Sequence, residues 1–304
     1  MLIPIKTLSK APSHIQNSNQ TTVYMFLSAL YWLVCACSEH SVIMRPPIEN
    51  EQDQQTLVYI PGGAYRIGSN RYTQDEAPRH EVSTSPFYIG KTEVTNLQFA
   101  QFLNERRHKN MDVRKWIALA KDIPRGGMIS FTGTRYRAHY GYEDHPVIGI
   151  SFFGATAYCK WAGLRLPSEA EWEIAAQGGE QGNQYPWGDE APQGKANYGQ
   201  KWRDSNHKPP TTPVGQYSEN GYGLVDMVGN ALEWTKSPYI PYKIESMTED
   251  LRTSLDGRRV LRGGGFDASE HELRITFRRA YYERVRSYLT GGLGFRCVRD
   301  ADPS

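Results

Sequence analysis

From residue 180 onward the chain is punctuated too densely for long helices. "YPWGDE", "KPPTTPVG", "SENGYG" and "RGGG" follow one another, and each places glycine or proline where a helix interior tolerates neither. The whole chain carries 28 Gly, 19 Tyr and 7 Trp, a composition for a loop-rich, aromatic-packed protein and not a helical bundle. At 304 residues it could form one large domain or two; the even spread of turn signals favours one, with few helices and much irregular backbone. The formal net charge of +2 gives no reason to expect nucleic acid as a partner.

Helical signals cluster in the first half. "FYIGKTEVTNLQFAQFLNE" (87–105) changes from alternation to helical spacing at Thr95, and Thr95 with Gln98 predicts a capping box, in which paired side chains satisfy two orphan amide donors. A second helix is predicted from Ser151 to about Ala162, stopped by Gly163. A third opens at Ser168, with Glu171 three residues on, and ends near Gly178. "LVYIPGGAYRIGS" (57–69) reads as a strand, a Gly-Gly turn and a second strand. Residues 106–143, basic and irregular, are expected to be a surface insertion.

The N-terminus reads as a targeting segment. Lys6 and Lys10 precede the apolar run "VYMFLSALYWLV" (23–34), and no acid occurs before Glu39. The run suits a signal-peptide core and is too short for a spanning helix. It ends at "VCACS", similar to the lipobox of bacterial lipoproteins, with Cys37 as the acylated residue. Residues 1–36 are therefore expected to be a lipoprotein-type signal peptide, and 37–56 a polar, flexible tether. The folded domain is then 57–304. This predicts export and a lipid anchor at the bacterial periplasm or cell surface.

Seven segments, in order, carry a resemblance: "IPGGAYRIGS", "KTEVTNLQFAQFL", "HPVIGISFFGATAYCKWAGLRLPSEAEWEIAAQGG", "YPWGDE", "GYGLVDMVGNALEWT", "RVLRGGGF" and "GFRCVRD". Together they resemble the sulfatase-modifying-factor family, whose best-known member is the formylglycine-generating enzyme. The resemblance implies an α+β class, a C-type-lectin-like fold with much irregular backbone. It also implies structural calcium, which takes six to eight hard oxygens. The family's "GNxxEW" loop places ligands at positions matching Asp226, Gly229, Ala231 and Glu233, two through side chains and two through carbonyls. A second calcium site would begin at Asn197 and Tyr198, with further ligands around Asp204 or Asn206.

The same resemblance pairs Cys159 with Cys297 in a disulfide, which an export signal makes chemically permissible. It also exposes a gap. Related enzymes bind copper through two further cysteines just after an "RGGS" turn, a soft thiolate pair that Cu(I) selects. Here "RGGGFDASEHELRITFRRAYY" (262–282) holds no cysteine. Ala268 and Leu273 stand about where that pair would be, and Gly265 replaces the serine. No copper is expected, and no catalytic residue is assigned. Nor do the eight histidines show HxxxH or HxxH spacing.

Residues 258–299 hold ten arginines and no lysine. Arginine suits fixed, bidentate contacts, so either internal pairing or a cleft for an acidic or peptide ligand is open. The cleft reading assembles Asp267, Glu270, His271, Arg274, Arg278 and Arg279. Two functions remain. The missing copper ligands favour a tethered accessory module that binds a protein, peptide or glycan. The intact framework permits a non-copper oxidoreductase acting on a peptide or peptide-derived substrate.

Overall fold

The computed structural model describes residues 44–105, 110–119, 127–201, 210–242, 257–286 and 292–301, all within one compact unit, Ile43–Ser304. The expected signal peptide, Cys37, Asp204 and Asn206 lie outside the described residues.

The three helix starts form where side-chain pairing places them. Helix α1 spans Asn96–Glu105; Gln98 Oε1 accepts from the Thr95 amide at 2.9 Å, and the Gln98 amide donates to Thr95 Oγ1 at 3.2 Å. Helix α2 is Asn110–Trp116. Helix α3, Phe152–Trp161, is capped by Ser151, whose hydroxyl accepts from the Gly154 amide. Helix α4, Glu169–Ala176, opens with a full Ser168–Glu171 capping box. Such a cap stabilises a helix by about 1 kcal/mol.

Two four-stranded sheets frame the domain. In the first, β1 (Ile48–Glu49), β2 (Thr56–Ile60), β5 (Phe87–Gly90) and β12 (Val298–Asp300) lie side by side, all antiparallel. The last described strand thus pairs with β5, more than 200 residues before it. In the second, the order is β10 (Arg279–Tyr282), β9 (Arg258–Arg262), β8 (Leu232–Pro238) and β11 (Leu293–Gly294), with β11 parallel to β8. Two ribbons complete the strands, β3 (Gly63–Ile67) with β4 (His80–Thr84) and β6 (Ile129–Phe131) with β7 (Tyr136–Ala138). The strands flanking the Gly-Gly turn therefore do not pair with each other: β2 joins β5 and β3 joins β4.

Phe99, Phe102, Tyr158, Trp161 and Phe295 pack one core cluster around the Cys159–Cys297 disulfide. That bond ties α3 to the chain just before β12, with Cα atoms 5.7 Å apart across a sequence separation of 138. In the chain-entropy account a loop of that size contributes about 4–5 kcal/mol, and commonly less in practice. A second cluster gathers around Trp172, Ile174, Met227 and Leu273.

Two boundaries differ from the sequence reading. The expected tether is folded from β1 onward: β1 pairs with β2, and Asp53 is 2% exposed, accepting from Tyr158 Oη at 2.7 Å. Its polar composition misled because these side chains cap and brace the core. The expected surface insertion contributes to the core too. Val113, Ile117, Leu119, Ile129 and Tyr136 are buried, apolar anchors scattered too sparsely among basic residues to show a period.

Candidate cation site and cleft

The loop between α4 and β8 curls tightly. Asp226 and Asn230 sit at φ 54° and 58°, and Gly229 at φ 83°. Asp and Asn tolerate this left-handed backbone better than other side-chain-bearing residues. Gly229 is required for a second reason, since a Cβ there would lie 2.5 Å from the Asn197 carbonyl oxygen. The Gly229 amide donates to Gly263 O and the Asn230 amide to Asn197 O, at 2.9 and 2.8 Å. The loop is thus clamped between the 197–200 segment and the Gly263–Gly264 turn.

Glu233, at 0% exposure, accepts from Arg296 Nε and Nη2 at 2.9 and 2.7 Å, and from Trp172 Nε1 at 2.7 Å. Arg296 spends its remaining donors on the carbonyls of Gly90, Lys91, Val225 and Asp226. Burial alone would weaken the Arg296 charge, yet Glu233 beside it holds the guanidinium protonated above its ordinary range. One arginine therefore staples the end of β5 to the curled loop and to β8.

That staple brings in a residue the sequence reading missed. Glu93 follows β5 by three residues, is 0% exposed, and neither of its carboxylate oxygens has a hydrogen-bond partner. Asp226 Oδ1 is likewise buried and unpartnered, while its Oδ2 accepts from the Gly215 amide at 2.6 Å. Burial pushes the Glu93 carboxyl well up, and the negative charges of Asp226 and Glu233 add to the rise against Arg296. Burial also raises Asp226, against the Gly215 amide and Arg296. Three buried carboxylates thus share a single guanidinium. Orphaned buried acceptors of this kind are costly without a proton or a cation. Hard, dry carboxylate oxygens fit calcium, and the available side chains are Asp226 on the curled loop and Glu93 after β5. The sequence signal for Glu93 in "KTEVT" is faint, a lone acid among mostly polar residues between a strand and a helix.

At the second expected site, Asn197 is 4% exposed and donates Nδ2 to Pro210 O and Asn230 Oδ1. The Tyr198 carbonyl accepts from Gln200 Nε2 at 3.2 Å. Both sit beside the first site, across Asn197 O from Gly229.

The expected arginine cleft divides. Arg274 and Arg278 are 6% and 4% exposed and do not line an open surface. Arg274 pairs with Glu76 at 2.6 Å; Arg278 grips Glu169 through Nε and Nη2 and lies 4.0 Å from the Tyr242 ring centroid. Arg279 is half-buried on Glu272. Burial alone would raise Glu169, but Arg262 and Arg278 hold it below its ordinary value. The buried arginines of the run, Arg262, Arg274, Arg278 and Arg296, form an internal brace, whereas Arg284 and Arg286 are exposed. Asp267, Glu270 and His271 do remain exposed, His271 against Ser269 Oγ at 2.9 Å. Ala268 and Leu273, where related enzymes carry the copper cysteines, are both buried in the second core cluster. Among the described residues no group of three or more His, Cys, Asp or Glu could hold a metal ion, so a cation site here relies on backbone carbonyls besides the two acids. Also among them, no helix is long and apolar enough to cross a membrane.

With this geometry in place, the comparisons fix the lineage. The family model described as "Sulfatase-modifying factor enzyme 1-like domain" matches residues 45–301. The chain belongs to the sulfatase-modifying-factor family, with the α+β formylglycine-generating-enzyme fold. It is 34% identical to the formylglycine-generating enzyme of Streptomyces coelicolor, over 84% of this chain and 93% of that protein. It is 33% identical to serine/threonine-protein kinase Pkn1 of Chlamydia trachomatis serovar L2, over 86% of this chain but only 41% of the kinase. Among solved structures, PvdO from Pseudomonas aeruginosa superposes with a TM-score of 0.64 at 21% identity, covering 85% of this chain and 99% of that one.

Proposed function

We propose that this chain is a binding or accessory module of the family and not a copper oxidase. The observation that carries the reading is the state of the copper positions: Ala268 and Leu273 are apolar and packed in the core, and neither side chain can ligate a metal or exchange disulfides with a substrate thiol. The family framework around them is otherwise complete. Calcium is its structural ion, held by Asp226, Glu93 and the carbonyls of Gly229 and Ala231. Glu233 fixes the loop through Arg296. A binding surface then consists of the exposed rim of Asp267, Glu270 and His271 with neighbouring side chains, for a protein, peptide or glycan.

The test is a cysteine-containing peptide incubated with purified protein, Cu(I) and oxygen. Mass spectrometry is expected to show unchanged thiol and no retained copper. Conversion of the cysteine to an aldehyde would overturn the reading, and retained iron or copper with peptide oxidation would establish the oxidoreductase alternative.

Export and anchoring complete the proposal, on the strength of the apolar run ending in "VCACS". Metabolic labelling with a fatty-acid analogue is expected to tag wild type and spare Cys37→Ser. Equal labelling of both would reject the anchor.

A further inference from the structure

The arginines of the expected cleft, Arg274, Arg278 and Arg279, are spent on glutamates. Another group of arginines lies on β3 and on the loop that joins it to β4. Arg66, Arg71 and Arg79 line one cavity of about 440 Å³, and all three side chains are exposed. None of the three guanidinium groups makes a hydrogen bond or ion pair with a described residue, in contrast with Arg262, Arg274, Arg278 and Arg296, each locked on a glutamate. Arg66 stands opposite Glu81 in the β3–β4 ladder, yet the two form no ion pair. The acid on the cavity wall, Glu173, gives the arginines no counter-charge, because it is fully buried and already paired with Arg262.

The backbone of the loop is held while the guanidinium groups stay unpaired. The Arg71 amide donates to Ser69 Oγ, the Arg79 amide to Asn70 Oδ1, and the Arg66 amide to Gln181 Oε1. The Arg66 carbonyl accepts from Gln177 Nε2 at 2.9 Å. Gln177 lines the same cavity at 6% exposure, and its Oε1 has no donor. Three like charges gathered on one fixed wall repel one another, and an arrangement of that kind is stabilised by an anion. Guanidinium is the group suited to it, offering a rigid fork that matches carboxylate and phosphate oxygens in pairs. The volume falls in the range of small-ligand sites.

We propose that this cavity is a binding site for an oxyanion-bearing ligand, taken up by Arg66, Arg71 and Arg79. The shared chemistry is a carboxylate or phosphate group, from an acidic peptide or from a free phosphate. The assignment deepens the reading of the domain as a binding module and rests on it for its purpose, while the anion contact itself stands on the three unpaired arginines.

The experiment titrates the purified full-length chain with tetraglutamate peptide and, separately, with inorganic phosphate. It uses calorimetry at two salt concentrations. Saturable binding of either probe is expected, weakening at higher salt and falling at least tenfold in Arg66→Gln/Arg71→Gln/Arg79→Gln. A control removing three other exposed cations, Arg135→Gln/Arg137→Gln/Lys160→Gln, should bind like wild type. Peptide binding without phosphate binding identifies a protein carboxylate as the source; the reverse identifies phosphate. No saturable binding of either probe, or equal loss in both variants, overturns the site. The substituted arginines are exposed and unpaired, so unchanged melting temperatures are expected for both variants. A chain that leaves cysteine peptides intact and ignores both anions refutes this site alone. One that oxidises cysteine and binds anion refutes the module reading and supports the site.

Discussion

Arg262→Met is expected to destabilise the fold by about 3–5 kcal/mol, the usual result of removing one partner of a buried ion pair. Arg262 is 0% exposed and ion-pairs with Glu173, itself 0% exposed, and with Glu169 at 3.2 Å. Its Nη1 donates to the carbonyls of Ile275 and Phe277 at 2.7 and 2.9 Å. Methionine fills much of the volume but leaves Glu173 with only the Gly68 amide, at 2.7 Å, and orphans both carbonyls. Glu169 suffers less, because Arg278 still holds it. The pH dependence has a definite sign. Burial already raises Glu173 above its ordinary value against the pull of Arg262, and losing Arg262 raises it further. A carboxyl raised in the folded state contributes stability that is present below its unfolded value and lost as pH rises through its folded value. The deficit of the variant should therefore narrow on moving from neutral pH toward pH about 5. Urea unfolding at the two pH values measures it. The double variant Arg262→Met/Glu173→Leu should recover part of the loss, since replacing a whole buried pair by apolar side chains is commonly neutral or favourable. A single variant within about 0.5 kcal/mol of wild type would show that the pair contributes nothing to the fold.

What was legible in the sequence follows from how local each cause is. The capping boxes at Thr95 and Ser168 involve side chains three residues apart, so their starts could be read directly. The disulfide was accessible only through family resemblance, because its partners are 138 positions apart. Long-range braces were illegible. Arg274 meets Glu76 across a separation of 198 residues, and Arg278 meets Glu169 across 109; nothing near either arginine announces such a partner. Composition also misled at 48–56. Asn50, Asp53 and Gln55 look like a solvated linker in one dimension, yet they are 6%, 2% and 3% exposed. Polarity signals a tether only when no buried partner exists to receive it, and Tyr158 Oη and the Ala162 carbonyl are such partners. Glu93 was passed over for a related reason. A single acid beside a capping threonine looks like punctuation until Asp226, 133 positions later, is seen to share its burial.

Chelation of calcium is expected to lower the melting temperature of wild type, and Glu93→Gln to remove most of that response. A ligand bound only by the folded state stabilises it by mass action, about 2.7 kcal/mol at one hundred times the dissociation constant. Glu93 and Asp226 supply the unpartnered buried oxygens, so each should weaken binding when altered. The three acids of the cluster separate by their behaviour in chelator. Glu93 is pushed up by burial and by the charge of Asp226, which favours its protonated form in the metal-free protein, and glutamine is close to an isostere of that form. Glu93→Gln should then melt like chelated wild type, with or without calcium. Asp226→Ala also abolishes the calcium response, and additionally lowers the chelated baseline, because Oδ2 accepts from the Gly215 amide at 2.6 Å. Glu233→Gln behaves differently again. It breaks the bidentate pairing with Arg296 and should lower the melting temperature in calcium and in chelator alike. Protons compete with calcium at Glu93, so the response of wild type should shrink as pH falls. Differential scanning fluorimetry of wild type and the three variants, with metal analysis of the purified protein, makes the distinction. A wild-type curve indifferent to chelator, with no calcium retained, would mean that protons alone neutralise the buried acids of this loop.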